Sequence, residues 1–408
     1  MNCRFCNNKV VNDFADLGFS PPSNSFLSEE QLNQSETFYP LKVQVCSSCF
    51  LVQVDEYAKH DEIFDKDYIY FSSYSSSWLE HARNYTDMMI KRFNFNHESN
   101  VFEIASNDGY LLQYFKEKNI NVLGIEPTSN TADVAISRGI KTMVRFFGKK
   151  LALELQKNNS YADLILGNNV LAHVPDINDF VSGLPLVLKK EGIITFEFPH
   201  LMELMLNNQF DTIYHEHFSY LSLFSVQIIF KKHNLKIFDV DQIMTHGGSL
   251  RIYATHSNNS EQSMSGNVSI LLNEELKFGI NSIKKYNTFQ NFTELVKDNF
   301  LSFLLKAKRD DKKVIGYGAA AKGVTLLNFC GVRKDLVKFI VDKSPHKIDK
   351  YIPGVHIPVL SEKEISNYKP DYVVILPWNI KDEIIQQLQY VTDWGCKFVV
   401  AIPTLKVF

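Results

Sequence analysis

Four of the six cysteines fall in two C-x2-C knuckles, Cys3/Cys6 and Cys46/Cys49. Two such knuckles can set four thiolates tetrahedrally around Zn2+. Neighbouring thiols on a tight turn suit a metal better than two structural disulfides. All four positions are filled by protein ligands, so the zinc is expected to be structural. A catalytic zinc would keep one position open. Cys330 and Cys396 stand alone and read as small core residues.

A second group is Tyr214-His215-Glu216-His217, just ahead of the apolar run Phe218–Phe230. One member could act as a base near neutral pH. Histidines at i and i+2 do not share a helix face, and H-E-x-x-H is absent, which argues against a metalloprotease. A third group is Glu103-Ile104-Ala105-Ser106-Asn107-Asp108-Gly109, a strand followed by a tight turn. Glu126 closes the next strand, where a carboxylate can accept both ribose hydroxyls of an adenosine. Enzymes that use S-adenosylmethionine (SAM) often have this arrangement with an E-x-G-x-G-x-G turn. Ala105 and Asn107 stand at two of those glycine positions.

These groups need a scaffold. Val101–Ala105, Val122–Glu126, Leu164–Leu166 and Gly192–Glu197 read as strands, with a helix over Tyr110–Lys118. Alternating strands and helices imply a parallel, doubly wound sheet, whose ligands bind at the carboxyl ends of the strands. Asn168 and His173 follow the strand Leu164–Leu166 and are expected at that cleft. Lys236–Val240 and Ser249–Ala254 read as a closing strand pair, and residues 268–308 as helical. A second β/α unit opens at Lys313–Gly318 and continues through Lys338–Asp342 and Tyr372–Leu376. Its Gly316-Tyr317-Gly318-Ala319-Ala320-Ala321 fits G-x-G-x-x-A, with Asp342 ending the next strand. Read alone, this second unit would bind NAD. The alternative function is therefore an NAD-dependent oxidoreductase acting on a nucleotide sugar. The hydroxyl- and aromatic-rich segment Asp67–Trp78, leading into a helix from Ser76, reads as ligand-facing.

The chain has 408 residues, 45% of them hydrophobic and 22% charged, so it can bury several cores. A net charge of -3 provides no basic field, so no nucleic-acid partner is expected. No apolar run approaches the ~18 residues of a membrane span. Met1-Asn2-Cys3-Arg4 opens no signal-peptide run. A cytoplasmic, membrane-free enzyme is the expectation.

The knuckles, Glu103–Tyr110, Tyr214-His215-Glu216-His217-Phe218-Ser219-Tyr220 and Gly318-Ala319-Ala320-Ala321-Lys322-Gly323 occur in that order. Together they resemble the nucleotide-sugar C-methyltransferases that methylate C3 of dTDP-4-keto-6-deoxy sugars, along essentially the whole chain. The resemblance implies an α/β protein with three parts. These are a zinc-binding module (1–66), a Rossmann-like SAM methyltransferase domain (67–256) and a second Rossmann-like α/β domain that helps hold the nucleotide sugar (257–408). It implies SAM and structural Zn2+ as cofactors and a nucleotide-linked 4-keto sugar as substrate; a monomer is expected. Glu126 should bind the SAM ribose. Glu103, Ala105, Asn107, Asp108 and Gly109 should cradle the methionine end, with Asn168 nearby. Departure from glycine at 105 and 107 is usual in that family. The family's active-site residues map onto Tyr68, His173, Tyr214, Glu216 and His217, with His217 the leading base. Gly318, Lys322 and Arg251 are candidates for the substrate's phosphates.

Overall fold

The computed structural model describes residues 1–57 and 71–408, so Tyr68 and residues 67–70 of the aromatic segment lie outside the described residues. Three sheets organise the described residues. The first holds β1 (Asn12–Ser20), β2 (Tyr39–Val45) and β3 (Val52–Val54), paired antiparallel. Along Leu41–Val45 buried and half-buried residues alternate, the pattern of a sheet with one covered face.

The second sheet holds β4 (Asn100–Ile104), β5 (Asn121–Ile125), β6 (Thr142–Met143), β7 (Ala162–Asn168) and β8 (Leu188–Pro199), all parallel. β9 (Ser219–Tyr220) leaves this body and pairs with β3 as the fourth strand of the first sheet. β10 (Leu235–Ile243) and β11 (Ser249–His256) then return antiparallel beside β8. The order is β6-β5-β4-β7-β8-β11-β10. Strand order reverses between β4 and β7, which puts the ligand crevice at their carboxyl ends. β7 is buried at six of its seven positions, as expected for a strand covered on both faces.

The third sheet runs β14-β13-β12-β15-β16-β17. β12 (Val314–Tyr317), β13 (Ile340–Val341), β14 (Val359–Leu360), β15 (Tyr372–Ile375) and β16 (Lys397–Val400) are parallel; β17 (Lys406–Val407) is antiparallel. Its reversal falls between β12 and β15, at the G-x-G turn. The expected helical stretch is three helices, Gly266–Phe278, Ile283–Tyr286 and Phe289–Arg309. The first α/β helix is shorter than expected, Leu112–Glu117.

The small first sheet joins the two larger bodies. Its face packs Phe14, Val43 and Val54 with Phe210, Phe218, Val324 and Leu327 in one core. Phe14 stacks on Phe289 at 4.4 Å. The knuckle end, Cys3, Cys46 and Cys49, packs instead with Phe196, Val226 and Leu250. Leu27 bridges backbone to backbone with Tyr351, and Glu36 accepts from the Gly354 N–H and pairs with His356.

The helix Gly266–Phe278 is held to the second sheet's body by a buried carboxylate. Glu275 Oε1 accepts from His200 Nε2 and the Leu223 N–H, each at 2.7 Å, and Oε2 from the Phe224 N–H at 2.8 Å. The two amides are orphan donors at the start of the helix Leu223–Lys232. Glu275→Leu strands three buried donors and should cost about 3–5 kcal/mol. Urea unfolding measures it, and a loss under about 1 kcal/mol would remove Glu275 as the tether.

Candidate active site

Both knuckles are built alike. Cys3 and Cys46 each accept through their carbonyl from the amide four residues on, Asn7 and Phe50, at 2.9 Å. Asn7 and Phe50 directly follow the second cysteine of each knuckle and have φ of 61° and 56°. The two turns thus point four sulfurs inward. All four lie within 4.8 Å of one another, with Cys3–Cys49 and Cys6–Cys46 both at 3.5 Å. Sulfurs ~2.3 Å from a tetrahedral zinc sit about 3.8 Å apart, so the donor set fits the ion. Gln53 Nε2, fully buried, donates to Cys3 Sγ at 3.3 Å and fixes that ligand from behind.

The turn after β4 keeps the backbone of a glycine loop without the glycines. Ala105, Asn107 and Gly109 have φ of 57°, 49° and 77°. At Gly109 any side chain would also strike Ile140. Glu126 lies at the end of β5, as expected. Its Oε2 accepts from the Asn107 N–H at 2.8 Å, and its Oε1 from the Thr128 N–H at 2.9 Å and the Thr128 hydroxyl. The carboxylate therefore holds the turn's shape as well as facing the crevice end. Burial raises its pKa. Glu103 is buried beside Glu126 and Asp108, and burial followed by those charges drives its pKa well up. Asp108 Oδ2 receives the Ser73 N–H at 3.3 Å and the Ser73 hydroxyl; Asn107 Oδ1 receives the Ser72 N–H at 2.9 Å. The described part of the aromatic segment is thus docked on this turn. Among the described residues the Asn168 amide and the Ser106 hydroxyl are buried with no partner, as groups reserved for a polar ligand would be. This site fits SAM.

Tyr214–His217 is a β-turn, closed by the His217 N–H on the Tyr214 carbonyl at 3.0 Å. The turn, rather than a helix face, brings the two rings to 4.1 Å. His217 Nδ1 meets the Thr212 carbonyl at 2.9 Å, and a carbonyl can only accept, so Nδ1 carries the hydrogen. Nε2 is then a free lone pair, and the Tyr214 hydroxyl donates to it at 2.9 Å. The His173 ring lies 4.6 Å from that of His217. Burial, then His173, keeps His217 well below its ordinary pKa; burial takes His173 down to about 4. Both are neutral bases at neutral pH. His215 points away, to the Pro40 carbonyl at 3.2 Å and the Tyr39 ring.

Glu216 faces a different neighbour. Its Oε1 accepts from Asn24 Nδ2 at 2.6 Å and from the Ser23 hydroxyl at 3.4 Å. Burial raises this carboxyl to about 7, against the pull of Asn24, Ser23 and Lys347. Sequence reasoning missed Ser23 and Asn24, whose partner Glu216 lies far along the chain. It also missed His246, on the loop between β10 and β11. There His246, Gly247 and Gly248 have φ of 56°, 92° and 113°. A side chain at Gly247 would strike Trp378. The only local signal was the Gly-Gly pair.

Of the phosphate candidates, Arg251 is engaged within the second sheet. Its Nε is 2.7 Å from Glu197, and it lies over the Tyr85 ring. Gly318 is covered by Pro377, and Asp342 Oδ2 accepts from the Ala319 N–H at 2.7 Å. The acid that would bind a ribose in an NAD site thus holds its own turn.

Family models match along the chain: a zinc binding domain over 3–64, a methyltransferase domain over 78–240 and a C-methyltransferase C-terminal domain over 244–403. The C-methyltransferase NovU of Streptomyces niveus is 34% identical over 405 residues, 99% of this chain and 96% of the relative. The chain belongs to this C-methyltransferase family. Solved structures match only in part. The PH0226 protein of Pyrococcus horikoshii is 14% identical over 46% of this chain and 94% of its own, with a TM-score of 0.37. Magnesium protoporphyrin IX methyltransferase of Synechocystis, with bound SAM, is 12% identical over 44% and 79%, with a TM-score of 0.34. The C-methyltransferase uses SAM and carries a zinc-binding N-terminal module. Among the described residues no helix is long and apolar enough to cross a membrane.

Two outcomes test this geometry. Cys46→Ser should leave the purified C-methyltransferase short of its one zinc, as metal analysis measures, and should lower its melting temperature more than its SAM affinity. Full zinc content in that variant would exclude Cys46 as a ligand. Asn24→Ala removes the nearest donor that lowers Glu216, so the carboxyl should titrate above about 7. Carbon-13 NMR of the Glu216 carboxyl follows it, and a downward shift would contradict the assigned contact.

Proposed function

We propose that the methyl acceptor is C3 of a nucleotide-linked 4-keto-6-deoxy sugar, with dTDP as the nucleotide. The observation that supports this most is the Tyr214–His217 pair. Oxygen and nitrogen acceptors bring their own lone pairs. A carbon beside a ketone must first lose a proton, and the charge must be stabilised on oxygen. A neutral imidazole with a defined basic nitrogen, in contact with a phenol that can donate, matches those two needs.

In this reading the Thr212 carbonyl fixes the His217 tautomer, so that only Nε2 can take the C3 proton. While Nε2 holds the Tyr214 hydroxyl it is occupied. A ketone oxygen within reach of Tyr214 offers that hydroxyl another acceptor, which frees Nε2 toward C3. Burial makes His217 a weak base in the resting protein, and the enolate's negative charge beside it supports the imidazolium as it forms. SAM supplies an electrophilic methyl: the new C–C bond forms at C3 as the S–CH3 bond breaks and its electron pair stays on sulfur. His173, at ring contact, restricts the His217 ring. Glu216, with Ser23 and Asn24, is placed to bind a sugar hydroxyl. Tyr68 belongs to this proposed set by family resemblance. Glu103, Ala105, Asn107, Asp108, Gly109, Glu126 and Asn168 form the proposed SAM site, and Gly318 lies on the nucleotide side.

Mass spectrometry of the protein with SAM and a panel of nucleotide-linked 4-keto sugars should find a product heavier by one methylene unit, with the new methyl on C3. Products only from hydroxyl or amine acceptors would end the reading. His217→Asn should bind SAM and nucleotide sugar normally and turn over about 10^2–10^4-fold more slowly. In D2O, with S-adenosylhomocysteine in place, the wild type should exchange the C3 proton. Undiminished exchange in His217→Asn would move the base elsewhere.

A further inference from the structure

Lys322 is the second residue of the helix Ala321–Cys330, which follows the G-x-G turn of the third sheet. Lys322 is half-buried. It donates to Asn379 Oδ1 at 2.9 Å and to the His246 carbonyl at 3.4 Å, and sits 4.4 Å from the centre of the Trp378 ring. Among the described residues no carboxylate stands at ion-pairing distance from it. Trp378 is itself pinned, its indole N–H donating to Asp211 Oδ2 at 2.7 Å. Asp211 is fully buried. Burial brings Lys322 down to about 8, with Asp211 opposing, and raises Asp211 to about 7. A half-buried ammonium without an ion pair gains when an anion reaches it.

Two anions come into question, the diphosphate of a nucleotide sugar and the oxygen of the enolate. The placement of the 245–248 loop decides between them. The residue whose carbonyl touches Lys322 is His246. Its ring meets Asn169 Nδ2 at 3.0 Å and the Trp78 ring edge-on. Asn169 directly follows β7, at the carboxyl end next to the switch point, where cofactor and acceptor must meet. Asp211, which pins the Trp378 ring beside Lys322, directly precedes Thr212, whose carbonyl holds His217 Nδ1. The ammonium therefore belongs to the edge of the acceptor that reacts. In a pyranose the diphosphate leaves from C1, across the ring from C4. One amine on the C3–C4 edge is not placed to hold both.

We propose that the Lys322 ammonium binds the C4 oxygen of the acceptor and carries the negative charge of the enolate, with Asp211 and Trp378 as positioning residues. This rests on the sugar-ketone reading above. As His217 takes the C3 proton, the C–H electron pair becomes the C3–C4 double bond and the carbonyl pair moves onto oxygen. Lys322 stays protonated and pairs with that oxygen. When the C3–methyl bond forms, the pair returns and the ketone is restored, so no proton is lost from the lysine. Tyr214 and Lys322 then form a two-donor oxyanion site, one neutral and one charged. Activity needs the charged amine and is lost as pH rises through about 8. The groups that bear on Lys322 are Asp211, which raises it, and the neutral His217 and His246.

The experiment compares the wild type with Lys322→Met and Asp211→Asn. C3-proton exchange into D2O is measured with S-adenosylhomocysteine bound and dTDP-4-keto-6-deoxyglucose saturating. Calorimetry measures dTDP and S-adenosylhomocysteine binding. Exchange by Lys322→Met should fall by about 10^2–10^3-fold while both dissociation constants stay within about twofold. If dTDP affinity instead drops about tenfold or more and saturated exchange survives, Lys322 is a phosphate ligand and the proposal is overturned. S-adenosylhomocysteine binding checks folding. Should Lys322→Met not fold, Asp211→Asn decides: the alkaline limb of exchange should move to lower pH, and an unmoved limb overturns the proposal. If the wild type neither exchanges nor methylates any 4-keto nucleotide sugar, the substrate reading has failed and the lysine's role falls with it. A loss confined to the variants leaves the substrate reading standing.

Discussion

A two-residue strand carries much of the architecture. β9 leaves the second sheet's body to pair with β3, and the Val54 N–H extends the ladder to the Phe218 carbonyl at 3.1 Å. Tyr214–His217 lies immediately before that strand. The register of a zinc-stapled sheet thus sets where the Tyr214–His217 turn ends. A strand pair has a side-chain period of two, so a one-residue slip would reverse every following side chain. The zinc takes no part in the proposed chemistry, and its contribution is to make that register rigid. Asn24, from the same module, holds Glu216 from the other side.

The site is assembled where three sheets meet, and each contributes a different chemical kind. The first brings neutral donors, Ser23 and Asn24. The second brings the proposed acid–base pair and the proposed cofactor turn. The third brings ammonium groups, Lys322 and Lys347, on flanks of its own turn. Lys347 Nζ donates to the Ala319 carbonyl at 2.7 Å. The two turns repeat one device: the acid at the end of the second strand accepts an amide of the turn, Glu126 from Asn107 and Asp342 from Ala319. One such turn keeps unpartnered polar groups nearby, while the other is covered by Pro377 and supports its neighbours.

What the sequence revealed followed the range of each interaction. The knuckles, the strands β4, β5, β7 and β12 and the order of α/β elements are local patterns and were legible. The position of Glu126 followed from topology. The loss of two glycines was visible, but their left-handed backbone at Ala105 and Asn107 was not, because the Glu126 bonds that hold it reach across to the next strand. Residues such as Asn24, Asp211 and His246 show their significance only through partners far along the chain, for which no period or spacing exists. β9 is too short to carry any pattern. Arg251 read as a candidate phosphate ligand because its partner Glu197 lies on the neighbouring strand, beyond any local pattern.

The first sheet's apolar face is completed late. Phe14 waits for Tyr286 and Phe289, Leu27 for Tyr351, and Glu36 for Gly354 and His356. At about 5–20 residues per second, a ribosome takes on the order of tens of seconds to make those partners after the first 57 residues emerge. During that interval the nascent module has its four thiols and the apolar face around Phe14 uncovered. Metal capture and the pairing of β1, β2 and β3 are the stabilising steps that need no later residue, so zinc binding can order the module before the rest of the chain arrives.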